Sequence, residues 1–279
     1  SIWNPRFGTY ENQTQAQSNK GVLPPSPDRR LVDPDFVNRP HYWLDEARTT
    51  ATWNGDLDWA LCWRDIGPKE RTFMASVAPR WAAGHTLPLG HLTPEYRSLG
   101  ACFVAAWSSL AVDFALRSRS EKGRMSYFIV KQMPMPAPAA FAASTPWEPD
   151  QALVEWITPR ALELTYTARY LEPFARDVGY DGAPYQWIPD RRLILQAELD
   201  ACFLHVYGLD RSHAEHVLDS FVLLSQNETK EHGEYLTKRL VLERYDAMAE
   251  ATESGRPYKT PLDPPPGDAS IAHAQALAR

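Results

Sequence analysis

Tyr127-Phe-Ile-Val-Lys-Gln-Met-Pro-Met-Pro-Ala-Pro138 is the stretch on which the reading of the fold turns. Tyr127, Phe128, Ile129 and Val130 are aromatic or β-branched, types that suit a pleated, half-buried strand. Pro134 cannot donate to a ladder, so the strand, placed at 126–133, stops near Met133. Upstream, 94–117 reads as one helix, with Thr93 as N-cap, Pro94 at the first helical position and Glu95 complementing the dipole. Leu99, Phe103, Trp107, Leu110 and Phe114 recur at three or four residues and make a single apolar stripe. Further back, Leu57, Trp59, Leu61 and Trp63 alternate with Asp56, Asp58, Ala60 and Cys62, the period of a strand with one moderately polar face. A second strand is expected at 71–78, with Gly67-Pro68 as the turn between them.

These elements predict a small α+β unit over 41–138. Pro134, Pro136, Pro138, Pro146 and Pro149 then mark a linker at 139–149. Beyond it the periodicity becomes helical, predicting helices over 150–178, 190–207, 212–221 and 228–254, with Gly179, Gly208 and Gly255 at C′ positions. Residues 1–40 are polar and carry Pro24, Pro25, Pro27, Pro34 and Pro40, which predicts an extended arm or linker. The expected fold class is α+β: a small mixed-sheet domain at 41–138, then a mainly α-helical C-terminal domain at 150–260. The segment 261–279 is expected to be a disordered tail.

At 279 residues the chain suits one large domain or two moderate ones, and ten tryptophans within a 44% hydrophobic composition supply a core. No run approaches the length of a membrane span, and the N-terminus lacks the charged-then-apolar order of a signal peptide. Cys62, Cys102 and Cys202 fit neither a zinc spacing nor a disulfide framework; they read as small buried hydrophobes in a reducing, cytoplasmic setting. The net charge of −6 argues against a generic nucleic-acid binder, but its distribution does not. Residues 1–146 carry +3, residues 147–279 carry −9, and the stretch 60–131 carries +5. The first half can therefore face phosphate and the second cannot easily do so.

The helix, basic loop and apolar run ending in Phe128-Ile-Val-Lys-Gln-Met-Pro134 resemble the TaqI-like specificity region of adenine-N6 DNA methyltransferases. Arg6-Phe-Gly-Thr-Tyr-Glu11 and Tyr42-Trp-Leu44 resemble its start. Trp63-Arg-Asp-Ile66, Glu70-Arg-Thr72 and Ala78-Pro-Arg80 resemble its first half. The stretches from Glu198 to Gly208 and from Gly233 to Glu243 are similar to the helical tail of large fused restriction–modification and phage-defence methylases, of Type IIG, BREX or DISARM kind. Two departures stand out. The family's Asn-Ser-Leu is Ser108-Ser109-Leu110 here, and its Gly-Gly-Thr loop is Glu121-Lys-Gly-Arg-Met125. The resemblance implies double-stranded DNA as partner, together with the methyltransferase domain of the same parent chain.

An adenine-N6 methylase also needs a Gly-rich turn after a strand for S-adenosylmethionine and an Asn/Asp-Pro-Pro-aromatic motif for the flipped adenine. Neither is present; Asp263-Pro-Pro-Pro266 has no aromatic in fourth place. The chain is thus expected to be a non-catalytic C-terminal part of a longer polypeptide, with no cofactor of its own and S-adenosylmethionine in the parent. Pro189-Asp190 with Glu228-Thr-Lys230 superficially matches a nuclease signature, but its helical surroundings do not provide the adjoining strands that a Mg²⁺ site needs.

Arg64, Lys69, Arg71 and Arg80, with His85, are the candidates for reading bases, since Arg addresses guanine O6 and N7 with two hydrogen bonds. Their ordinary alternative is surface pairing with Asp65 and Glu70. Arg117, Arg119, Lys122, Arg124 and Lys131 are the candidates for phosphate; the ordinary alternative is that cations at a helix C-terminus merely favour its dipole. Trp59, Trp63, Trp81 and Trp107 could stack on nucleotides, though their spacing suits a core. The alternative function is a protein-interaction scaffold within a defence complex.

Overall fold

The structure, a computed structural model, describes residues 10–37, 44–67, 70–119 and 124–274. Three short helices come first: α1 (Gln15–Asn19) and α2 (Asp28–Leu31) in the arm, then α3 (Glu46–Thr52). Trp59–Trp63 forms strand β1, flanked by β2 (Ala75–Pro79) and β3 (Leu89–Gly90) in a three-stranded antiparallel sheet. Trp59 lies opposite Pro79, Trp63 opposite Ala75, and Cys62 opposite Leu89. Large and small side chains alternate along β1. Trp59 and Leu61 enter the main core and Trp63 a second cluster, while Ala60 and Cys62 are buried as well. Of the face expected to be moderately polar, Ala60 and Cys62 within the strand are covered, while Asp56 and Asp58 ahead of it are exposed.

A 3₁₀ stretch at Pro94–Leu99 leads into α4 (Gly100–Ser108) and α5 (Leu110–Arg117). Gly100 packs against Trp59 so closely that an added Cβ would fall 2.5 Å from the indole. The single helix expected over this stretch is broken at Ser109. Its backbone is extended (φ −69°, ψ 149°), its hydroxyl accepts the Val112 N–H, and the buried Asp200 carboxylate accepts the Leu110 N–H at 2.7 Å. A carboxylate from a distant helix thus caps α5, and the two axes differ by 58°. Pro94 does stand in the first turn, but Thr93 makes no side-chain cap. Among the described residues no single helix is long and apolar enough to cross a membrane.

Tyr127–Val130 is one turn of helix, α6, and not the expected strand. Its neighbour explains the difference. The adjacent strand β3 is two residues long, and the Tyr127 hydroxyl occupies both the N–H (3.1 Å) and the carbonyl (3.2 Å) of Leu89. With no ladder to join, the segment closes its own bonds, Val130 N–H to Ser126 O and Lys131 N–H to Tyr127 O, both 3.0 Å. The turn brings Val130 and Met133 together against Trp63, Phe73 and Met125.

The expected linker is a structured part of the molecule. It contains the end of α7 (Pro138–Phe141) and a hairpin of β4 (Ser144–Thr145) and β5 (Glu148–Ala152). Phe141 and Trp147 are buried, and Trp147 meets Trp156 edge-on at 5.4 Å. No sheet crosses this segment, but the core does: one apolar cluster runs from Leu57 through Trp59, Trp156 and Phe203 to Tyr258.

The helical part comprises α8 (Leu153–Thr165), α9 (Glu172–Asp177), α10 (Pro189–Val206), α11 (Arg211–Asp219), α12 (Val222–His232) and α13 (Leu236–Ser254). The helix expected at 228–254 is divided at Gly233, whose φ of 80° ends α12. The fold is α+β, with about 51% helix and 9% strand.

Both ends depart from expectation. The described arm residues lie back on the helical part: Arg169 N–H donates to Pro34 O at 2.8 Å, and its guanidinium pairs with Asp35 at 2.9 Å. The tail is ordered through residue 274. Tyr258 is buried, its N–H on Trp147 O and its hydroxyl on Glu198 Oε1 at 2.9 Å. The proline run lacks N–H groups but offers carbonyls, and Arg191 donates to Pro264 O (2.6 Å) and Pro265 O (3.0 Å). Glu163 pairs with Arg191 and accepts the Gly267 N–H at 3.1 Å. Residues 275–279 lie outside the described part.

Candidate nucleic-acid interface

At the C-terminal end of β1 three segments are tied together by one indole–carbonyl bond and two backbone bonds. Trp63 Nε1 donates to Met125 O (2.7 Å), Met125 N–H to Asp65 O (2.6 Å), and Asp65 N–H to Thr86 O (3.1 Å). Ile66 forms an antiparallel bridge with Arg124. Tyr127 packs edge-on against Trp63 at 5.1 Å. The loops around residues 64–66, 84–89 and 124–131 therefore make one rim, resting on the cluster of Trp63, Phe73, Val112, Leu116, Met125, Val130 and Met133.

The rim is cationic and aromatic. His85, Arg119, Arg124 and Lys131 are exposed, and so is Arg64, which lines a separate cavity with Cys62, Met74 and Trp81. Arg124 sends Nη2 (2.7 Å) and Nε (3.2 Å) to Asp65 Oδ2. The Arg124 side chain remains 62% exposed while that of Asp65 is only 10% exposed, so a phosphate that takes the guanidinium competes with a largely buried carboxylate. Arg119 donates to Ala115 O at 3.0 Å, capping α5 as a cation at a helix end does. Asp65, Arg119, Arg124, Ser126, Phe128 and Ile129 enclose a depression of about 600 Å³. Phe128 stands at its edge, 74% exposed.

Not every predicted residue reaches this rim. Arg71 is buried, with Nε on Asp113 Oδ2 at 2.6 Å and Nη2 on Ser108 O at 2.8 Å, so it cannot touch a base. Arg80 is at the far end of the β1–β2 pair, where its N–H meets Asp58 O and its guanidinium Asp58 Oδ1 at 3.2 Å. The length of β1, roughly 17 Å at 3.3 Å per residue, separates it from Arg64. The base-reading set therefore does not converge. Arg117 is turned inward: it donates to Thr72 Oγ1 (3.1 Å), Ser220 O (3.0 Å) and Glu70 O (3.3 Å) and covers Phe221 at 4.1 Å. Burial pulls its guanidinium below the ordinary value, with Asp113 opposing that shift and Arg71 adding to it. Lys69 and Lys122 lie outside the described residues, as do 6–9, 42–43 and Glu121 of the sequence phrases.

Trp59 and Trp63 are core residues and Trp107 packs against both clusters. Trp81 is 42% exposed beside Tyr170 at 5.0 Å. It borders a second, open cavity of about 950 Å³ between the arm and the β1–β2 face. Of the nuclease-like residues, Glu228 has a structural duty: it accepts the Thr237 N–H (2.8 Å) and hydroxyl (2.6 Å). Among the described residues no group of His, Cys, Asp and Glu is arranged to hold a metal ion.

Tyr127 and Phe128 escaped sequence reasoning because a four-residue apolar run looks the same in a strand and in a turn of helix. The available signal was the spacing of Val130 and Met133, which leaves Phe128 on the opposite side. No family model matches the chain, and neither the curated proteins nor the solved structures compared with it give a match.

Proposed function

We propose that this chain is the DNA target-recognition module of an adenine-N6 DNA methyltransferase from a restriction–modification or phage-defence system. The carrying observation is that Arg119, Arg124 and the exposed Phe128 line one depression, with Asp65 as the acidic group in its lining, and that His85, Tyr127 and Lys131 are exposed on the loops tied to it. Such a surface pairs phosphate neutralisation with groups that address base edges. In this reading Arg119, Arg124 and Lys131 take phosphate, and His85 takes a base edge. Methyl transfer from S-adenosylmethionine belongs to another domain, which flips the adenine while this chain holds the duplex.

The helical half acts as the brace. Three of its surface cations are matched internally: Arg211 with Asp246 (2.7 Å), Lys238 with Asp219 (2.7 Å), and Arg239 with Glu234 and Glu243 (both 2.9 Å). The competing scaffold reading would place the contact on this acidic half, at the exposed Val222 and Leu223 of α12. Titration of duplex DNA with the chain at several salt concentrations separates the two. Binding that weakens steeply with salt supports DNA recognition, and no binding even at low salt supports the scaffold.

A further inference from the structure

Phe128 is the most exposed large hydrophobic side chain among the described residues, yet its backbone is firmly placed. The turn beneath it is closed by two backbone bonds, Tyr127 beside it is pinned to both polar groups of Leu89, and Val130 and Met133 are buried behind it. A phenyl ring held out by a fixed turn does no packing for the chain itself. Its surroundings point to the partner: Arg119 and Arg124 line the same depression, and Tyr127 adds a second half-exposed ring. Cations around a projecting apolar ring match a polyanion with a stacked apolar interior, which is duplex DNA and not an acidic or apolar protein face.

Resting on the duplex-binding reading above, we propose that Phe128 is a wedge that enters the base stack at one step while Arg119 and Arg124 neutralise flanking phosphates. Insertion transfers the ring from water to the stack, unstacks the step and unwinds the helix locally. Steps that unstack easily, pyrimidine–purine above all, are then favoured without any hydrogen bond to a base. A rigid turn suits this role, because a ring on a loose loop would fold back and yield under the restoring force of the stack.

The test needs no knowledge of the target site. Closed-circular plasmid bound by the full chain is relaxed with a topoisomerase and deproteinised, and the linking number is read at matched occupancy. The expected result is a reduced linking number with the wild-type chain, loss of that shift with Phe128→Ala at an unchanged salt dependence of binding, and its return with Phe128→Trp. Wild-type binding without a shift, or an equal shift from Phe128→Ala, overturns the wedge alone. Absence of any plasmid binding at low salt overturns the duplex-binding reading and the wedge with it.

Discussion

Arg71 and Asp113, 42 positions apart in the chain, meet at 2.6 Å in a site that excludes solvent from both. The same carboxylate accepts the Thr72 N–H at 3.1 Å, so a single Asp on α5 fixes the loop that joins β1 to β2. Replacing Arg71 by Ala leaves this charge buried without its guanidinium and is expected to cost about 3–5 kcal/mol in urea unfolding. An Arg71→Met, Asp113→Leu double variant should recover most of that loss. A single Ala variant within about 0.5 kcal/mol of wild type would show that the pair does not hold the loop.

The cations of the α5 end divide into two functions. Replacing Arg119, Arg124 and Lys131 together by Ala should lower the salt slope of duplex binding by up to about 0.9 for each phosphate no longer neutralised. Arg117→Ala should do the reverse: an unchanged slope and a destabilisation of about 1–3 kcal/mol, since three carbonyl or hydroxyl partners are left without their donor. Equal slopes for the triple variant and the wild type would remove the rim from DNA binding.

Asp200 links the fold to pH. Burial lifts its carboxyl to about 7, against the pull of Arg71 and the Leu110 N–H. The folded chain therefore keeps a proton that the unfolded chain releases near pH 4, and bound protons favour the folded state across that interval. Stability is expected to fall as pH rises from about 4 to about 7, by up to roughly 1.4 kcal/mol per pH unit, and then to level off. Asp200→Asn should flatten this dependence while keeping an acceptor for Leu110. Parallel pH profiles of unfolding midpoints for the two proteins would count against Asp200 as the source.

The C-terminal strap should be protected. The amides of Tyr258 and His273 donate to Trp147 O and Pro184 O, both at 2.8 Å, and should exchange with deuterium far more slowly than free chain. Tyr258→Phe, which leaves Glu198 with Arg160 as partner, is expected to cost about 1 kcal/mol. Exchange at coil rates from residue 256 onward would mean that the strap is detached in solution.

Much of the architecture could be read from local pattern. The alternation at Trp59–Trp63 marks β1, the helix expected at 190–207 is Pro189–Val206, and Gly179, Gly208 and Gly255 all take positive φ. What escaped depends on partners remote in sequence. Asp200 breaks the helix at Ser109, Arg191 orders the proline tail, and Asp113 buries Arg71. A strong local preference also yielded where its pairing edge was absent, as at Tyr127–Val130. Of the predicted site, Arg119 and Arg124 share one depression, His85 and Lys131 are exposed on neighbouring loops, and Arg64 lines a separate cavity. Arg71, Arg80 and Arg117 do not join them, because charge alone does not reveal which cations a fold uses internally.

The apolar cluster that runs unbroken from Leu57 to Tyr258 has a practical corollary for grafting. A chimera cut at the proline-marked segment would carry a sheet whose Trp59 and Leu61 are stripped of the helices they pack into, and a helical remainder lacking its lid. Arg117 would likewise be parted from Ser220 and Phe221 at the seam. The transplantable unit is the whole chain from arm to strap, and exchanges of specificity are best attempted by point changes on the rim.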